Sequence, residues 1–161
     1  MFKLFTRRKV SPTDLLTSKL YNETTFYPTF LRDLKNCQKE VIIESPYMTT
    51  ARTRQLLPIF QKLVKKGVRV TVHTRYPGHH DQLLRIQAWL VTKELKQIGV
   101  KVRFFNNHLH RKLAVLDGAI LYEGSLNILS QGNSREVMRR IESQAMTKQM
   151  IQFSSLKHFN W

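Results

Sequence analysis

The sequence predicts an α/β fold, a mixed, largely parallel β-sheet flanked by helices. Short apolar runs at 41–43, 68–72 and 100–105 alternate with longer stretches whose apolar residues recur every three or four positions. Strand, helix, strand, helix, strand is the order that builds a parallel sheet under crossover helices. The length of 161 residues, with 42% hydrophobic content, suits one domain able to bury its own core.

The leading residues carry little apolar pattern and include Ser11-Pro12-Thr13-Asp14. Residues 1–22 therefore read as a flexible arm or a short helix, and 23–161 as the folded domain. Phe26, Tyr27, Phe30, Leu31 and Leu34 mark one face of a helix ending near Asn36. Val41-Ile42-Ile43 is a strand buried on both faces, stopped by Ser45-Pro46. Leu56, Leu57, Phe60, Leu63 and Val64 return at helical spacing with Gly67 at the C-terminal cap, which places Pro58 near the first turn. Val68, Val70 and Val72 alternate as a second strand. After the turn Tyr76-Pro77-Gly78, Asp81 is placed to cap a long helix with Leu84, Ala88, Val91, Leu95 and Ile98 on one face. A third strand follows at 100–105. Trp89, Phe104 and Phe105 read as core. Residues 109–116 alternate as a strand, Asp117-Gly118 is a two-residue hairpin signal and 119–122 returns. One more strand at 136–141 and a closing helix at 143–156 complete the reading.

The hairpin carries the chemistry. His110-Arg111-Lys112 is followed after four residues by Asp117, and after six more by Gly124-Ser125-Leu126-Asn127. On a strand, His110 and Lys112 share a face. The spacing brings an imidazole, an ammonium, a hydroxyl and a carboxamide within reach of one phosphate. That is a nucleophile with three groups to stabilise charge, enough to cut a phosphodiester without a metal.

The pattern resembles the HKD signature of the phospholipase D superfamily, with His110, Lys112, Asp117, Gly124, Ser125 and Asn127 at the family's spacing. Residues 124–143 also resemble domains of this family found on DNA helicases, so association with a helicase is a further expectation. The resemblance implies a single catalytic domain over 23–161 and attack on phosphorus by His110, giving a phosphohistidine that water later cleaves. It implies that Lys112, Ser125 and Asn127 stabilise the charge of the transition state. It also implies a glutamate after the GSxN segment that holds the second imidazole nitrogen; Glu136 is the candidate and Glu142 the runner-up. Asp117, at the turn, reads as structural together with Gly124. Family members usually supply nucleophile and general acid from two such motifs. This chain has one, so the resemblance implies a C2 homodimer that brings two together.

Charge points to the substrate. Lys and Arg number 27 against 11 Asp and Glu, a formal net charge of +16. Between Glu44 and Asp81 no acidic residue occurs, while Arg52, Arg54, Lys62, Lys65, Lys66, Arg69 and Arg75 do. With Arg111 they form the expected surface for a nucleic acid, DNA or RNA. No apolar run approaches membrane-spanning length, so no membrane anchor is expected. The single Cys37 excludes an internal disulfide and suggests a reducing, cytoplasmic setting. No cofactor is expected: His79 and His80 read as a solvated loop, and His108 with His110 could ligate a metal from one strand face but lacks a convincing third ligand. The reading is a metal-independent phosphodiesterase, a nuclease. Its rivals are an enzyme of phospholipid headgroups and a nucleic-acid-binding module without cleavage.

Overall fold

The computed structural model describes residues 18–106 and 108–156. Seven strands form one sheet: β1 (Lys19–Asn22), β2 (Glu40–Glu44), β3 (Arg69–Arg75), β4 (Lys101–Phe105), β5 (Leu113–Leu116), β6 (Ile120–Gly124) and β7 (Val137–Glu142). Four helices accompany them: α1 (Phe26–Lys35), α2 (Thr50–Lys65), α3 (Gln82–Gln97) and α4 (Gln144–Phe153). The order across the sheet is β1-β7-β6-β5-β2-β3-β4.

The fold is α/β with a mixed sheet, as expected, but the parallel part is smaller than expected. Only β2–β3 and β3–β4 pair in parallel; β2–β5, β5–β6, β6–β7 and β1–β7 are antiparallel. A parallel pair needs a long crossover, which α2 and α3 provide. Between Phe105 and Leu113 there is no room for another, so the later strands turn back on their neighbours.

Alternation along the strands separates two faces. Val41, Ile43, Val70, Val72, Ala114, Leu116 and Tyr122 point into the main core with Phe26 and Phe30 of α1, Phe60 of α2 and Leu95 of α3. Ile42, Leu113, Val115, Leu121 and Ile141 point the other way, toward Met146, Met150 and Ile151 of α4. Where the main core meets the sheet, the Tyr122 hydroxyl donates to Asp33 Oδ2 at 2.6 Å, and Arg140 Nε donates to the same oxygen at 2.6 Å. No described helix is long and apolar enough to cross a membrane.

Four local differences have physical causes. Lys19–Asn22, expected in an arm or short helix, is an edge strand whose order comes from pairing with 137–140 of β7. The rest of that arm, 1–17, lies outside the described residues. Pro58 falls in the middle of α2, because the helix starts at Thr50: Thr49 Oγ1 accepts the Arg52 N–H at 3.4 Å, and the polar first turns hide the start from hydrophobic periodicity. Trp89 is 42% exposed and forms an edge-to-face surface cluster with Tyr76 and Phe104 instead of joining the core. Finally, β5 begins only at Leu113, so 109–112 precede the strand. Asp81 caps α3 as expected, its Oδ1 accepting the Leu84 N–H at 2.9 Å. Cys37 is buried just after α1, its thiol 3.5 Å from the Asp33 carbonyl.

Candidate active site

The β5–β6 hairpin turns at Asp117 and Gly118, both at positive φ (53° and 66°), the conformation a two-residue hairpin requires. The Asp117 carboxylate accepts the backbone N–H groups of Gln38, Lys39 and Glu40 at 2.8, 2.8 and 3.0 Å. That carboxylate ties the turn to the start of β2.

The other end of the hairpin gathers the reactive groups. Lys112 Nζ lies 2.8 Å from His110 Nδ1 and donates to the His110 carbonyl at 2.7 Å. His110 is exposed, while the buried Leu109 anchors the segment. Partial burial lowers the Lys112 pKa, opposed by the charge of Glu136. Gly124 closes the hairpin, and no other residue fits: a Cβ there would collide with the Val137 carbonyl and stand only 2.9 Å from Met138 Cα.

Ser125 follows. Its Oγ donates to Glu136 Oε2 and accepts the Val137 N–H at 3.1 Å. Glu136 Oε1 accepts from Ser134 Oγ at 2.7 Å. The carboxylate of Glu136 thus holds Ser125 and Ser134, where the family likeness suggested the His110 ring. Glu142 lies at the opposite end of β7, level with Ile120 beside the Asp117 turn, a strand length from His110. Asn127 starts a tight turn whose neighbours Leu126, Ile128 and Leu129 are fully buried. The turn is held by Tyr27 Oη donating to the Ile128 carbonyl at 2.9 Å and by Leu129 N–H donating to Ser45 Oγ at 3.1 Å. Asn127 Oδ1 is buried with no partner among the described residues.

Arg111, between His110 and Lys112, turns away from both. Its Nε donates to Glu44 Oε2 at 2.7 Å and its Nη2 to Glu44 Oε1 at 3.0 Å and to the Ser154 carbonyl at 3.2 Å. His73 Nδ1 lies 3.4 Å from Glu44 Oε1, and both side chains are 1% exposed. Burial pushes the Glu44 pKa up, but the hydrogen bonds from His73 and Arg111 outweigh it and the net shift is downward. Neighbouring residues of an extended chain point to opposite sides. Fixing Arg111 on Glu44 therefore turns His110 and Lys112 together toward solvent.

The remaining basic residues do not form one bare surface. Arg54 pairs with Glu94 at 2.6 Å and Arg69 with Glu40 at 3.4 Å. Arg52 stacks on Tyr27, 3.9 Å from the ring centroid, and donates to the Gln131 carbonyl. Arg75 Nη1 donates to Tyr47 Oη at 2.9 Å. Lys62, Lys65 and Lys66 lie in the last turns of α2 and just beyond, and none makes an ion pair with a described residue. His80 is half-buried against the Tyr47 ring, 5.2 Å between centroids, and so departs from the solvated loop expected.

A family model described as "Cardiolipin synthase, PLD-like domain" matches residues 30–157. The chain belongs to the phospholipase D-like family. Among solved structures, this phospholipase D-like chain resembles Nuc, a phospholipase D family member from Salmonella typhimurium. The TM-score is 0.68 at 12% identity, covering 84% of this chain and 90% of that one. NucT from Helicobacter pylori gives 0.67 at 16%, covering 84% and 91%. The archaeal chromatin protein TrmBL2, whose structure shows a mode of DNA binding, gives 0.58 at 12%, covering 84% and 50%. At these identities the likeness shows a shared fold. No curated protein sequence matches this phospholipase D-like chain.

The sequence reading missed Glu44, Ser134 and Tyr47. A signal existed for Glu44: a carboxylate ending an otherwise apolar buried strand must have a cationic partner.

Proposed function

We propose that the chain is a metal-independent phosphodiesterase of nucleic acids that works as a homodimer. The observation that carries the reading is the contact of Lys112 with His110 on the exposed segment, with Arg111 committed elsewhere. A phosphate entering here competes for the Lys112 ammonium. Lys112 then neutralises its oxygens and leaves an imidazole lone pair to attack phosphorus. The P–O bond to the leaving group breaks as the P–N bond forms, and water later attacks the phosphohistidine to release the phosphate. Asn127 stabilises the equatorial oxygens, while Glu136 acts through Ser125 by fixing its hydroxyl. The leaving oxygen takes its proton from His110 of the partner subunit, placed near by a two-fold axis beside the hairpin.

Nucleic acid is favoured over lipid by the net charge of +16. A neighbour described as phosphatidylserine synthase from Haemophilus influenzae, TM-score 0.61 at 15% identity, keeps lipid substrates in the test. This chain covers 39% of that one's length. The experiment is incubation with labelled single- and double-stranded DNA and RNA, and with phosphatidyl lipids, in excess EDTA. Cleavage of nucleic acid by wild type, lost in His110→Ala and Lys112→Ala, is expected. Activity that needs added metal and survives His110→Ala refutes the mechanism; hydrolysis of lipid alone moves the substrate. Sedimentation should give twice the chain mass.

A further inference from the structure

Arg75 differs from several other arginines of the fold. Arg111, Arg69 and Arg54 each meet a carboxylate, but Arg75 is half-buried and makes no ion pair with any described residue. Nη1 reaches the Tyr47 hydroxyl, while Nε is buried with no acceptor among the described residues. Beside it, His80 packs on the same tyrosine, and its Nε2 is also buried without a described partner. A partly desolvated cation lacking its counter-charge is costly. Two unanswered nitrogens on side chains that both contact Tyr47 point to oxygens supplied by a ligand.

Position gives the ligand its class. Arg75 is the last residue of β3, and Tyr47 lies three residues past the end of β2. Lys112 directly precedes β5, which flanks β2 on its other side. All three lie at the same end of the sheet. With neighbouring strands about 4.8 Å apart, the β3 backbone at Arg75 runs two strand spacings, roughly 10 Å, from the chain at Lys112, and the Arg75 guanidinium reaches Tyr47 beyond the end of β2. We infer that Tyr47, Arg75 and His80 form a second phosphate seat, which holds the next phosphate of a polynucleotide strand while His110 faces the scissile one. Arg75 supplies charge and donors to the phosphate, and Tyr47 aligns the guanidinium. Burial, and then the charge of Arg75, lower the His80 pKa, so the ring enters neutral, able to donate one hydrogen. The inference rests on the phosphodiesterase reading and adds a requirement: a substrate with two phosphates on one strand.

The test uses binding, so that it does not depend on cleavage. In a His110→Ala background, thymidine 3′,5′-bisphosphate is compared with thymidine 5′-monophosphate by calorimetry. The bisphosphate should bind about tenfold tighter or more, as charge-assisted hydrogen bonds at a second site imply. Arg75→Met should abolish that preference and leave the monophosphate affinity within about twofold. If Arg75→Met does not fold, Tyr47→Phe, which removes only the hydroxyl, should reduce the preference several-fold. Equal preference in a folded variant and its parent overturns the seat. The proposed activity is judged separately: a wild type that prefers the bisphosphate but cleaves no nucleic acid sinks the nuclease and keeps the seat.

Discussion

The two ends of the β5–β6 hairpin lie only a strand length apart, yet they do opposite work. At the turn, one carboxylate satisfies three backbone amides and carries nothing reactive outward. At the open end, Lys112 meets His110 on a segment exposed to solvent. A polar cluster that is buried and fully satisfied stiffens a fold, while an exposed cation can still meet a ligand. On the proposed reading, one short motif holds a structural end and a chemical end, joined by two four- to five-residue strands.

Exchanging the damage between the ends breaks this contrast most sharply. His110→Ala should lower kcat at least about a thousandfold, as loss of a nucleophile does, while moving the melting temperature little. Asp117→Ala should do the reverse. It removes the acceptor of three charge-assisted bonds at once, for a stability loss of about 3 kcal/mol, with kcat of the folded fraction kept within a few-fold. Thermal melts and steady-state kinetics on the two variants decide it. If Asp117→Ala silences a fully folded enzyme, the turn is not merely structural.

Glu44 sharpens the comparison, because it reaches the chemical end from beneath. Glu44→Gln should leave KM nearly unchanged and lower kcat about ten- to a hundredfold, through misplacement of His110 and Lys112. Combined with Arg111→Met, it should cost little more than either change alone, since the two act as a pair. A pH signature accompanies it. The folded pKa of Glu44 is depressed below 4.5, so its contribution to stability is complete above that pH and fades as pH falls through the folded value. The stability gap between wild type and Glu44→Gln should therefore narrow below pH 4.5. A gap that stays constant through the acid range would show that Glu44 does not titrate in this way.

The smallest effect concerns charge at the end of the sheet away from His110. Changing Lys62, Lys65 and Lys66 to Glu should weaken oligonucleotide binding alike for all sequences. It should also flatten the salt dependence by about 0.7 to 0.9 for each phosphate no longer neutralised. An unchanged slope places the polyanion's path elsewhere.

Most of the fold was legible in the sequence because its helices and inner strands carry strong apolar periodicity. β1 was not: Lys19-Leu20-Tyr21-Asn22 has no such pattern, and its order comes from the partner strand. The start of α2 was hidden for a related reason, because its first turns are polar and its cap is a single threonine. The candidate motif was legible because its parts lie close together in the chain. Tyr47 was not, since its partner is 28 positions away, and Glu44 could show only as a carboxylate in need of a cation, its Arg111 partner being 67 positions away. The fate of the arginines was equally hidden, because a stretch free of acidic residues along the chain gains its carboxylates from other strands and helices.

Cys37 stands beside the structural end, one residue before the amides that Asp117 holds. Burial, and then the charges of Asp117 and Asp33, push its thiol up to about 12, so in the closed fold it is neither ionised nor reachable. Because the chain has no other cysteine, alkylation is a clock with a single hand. Each labelling event requires that corner to open, and at low reagent concentration the rate measures the opening equilibrium directly. The protein thus carries its own gauge of how firmly the hairpin is tied to β2.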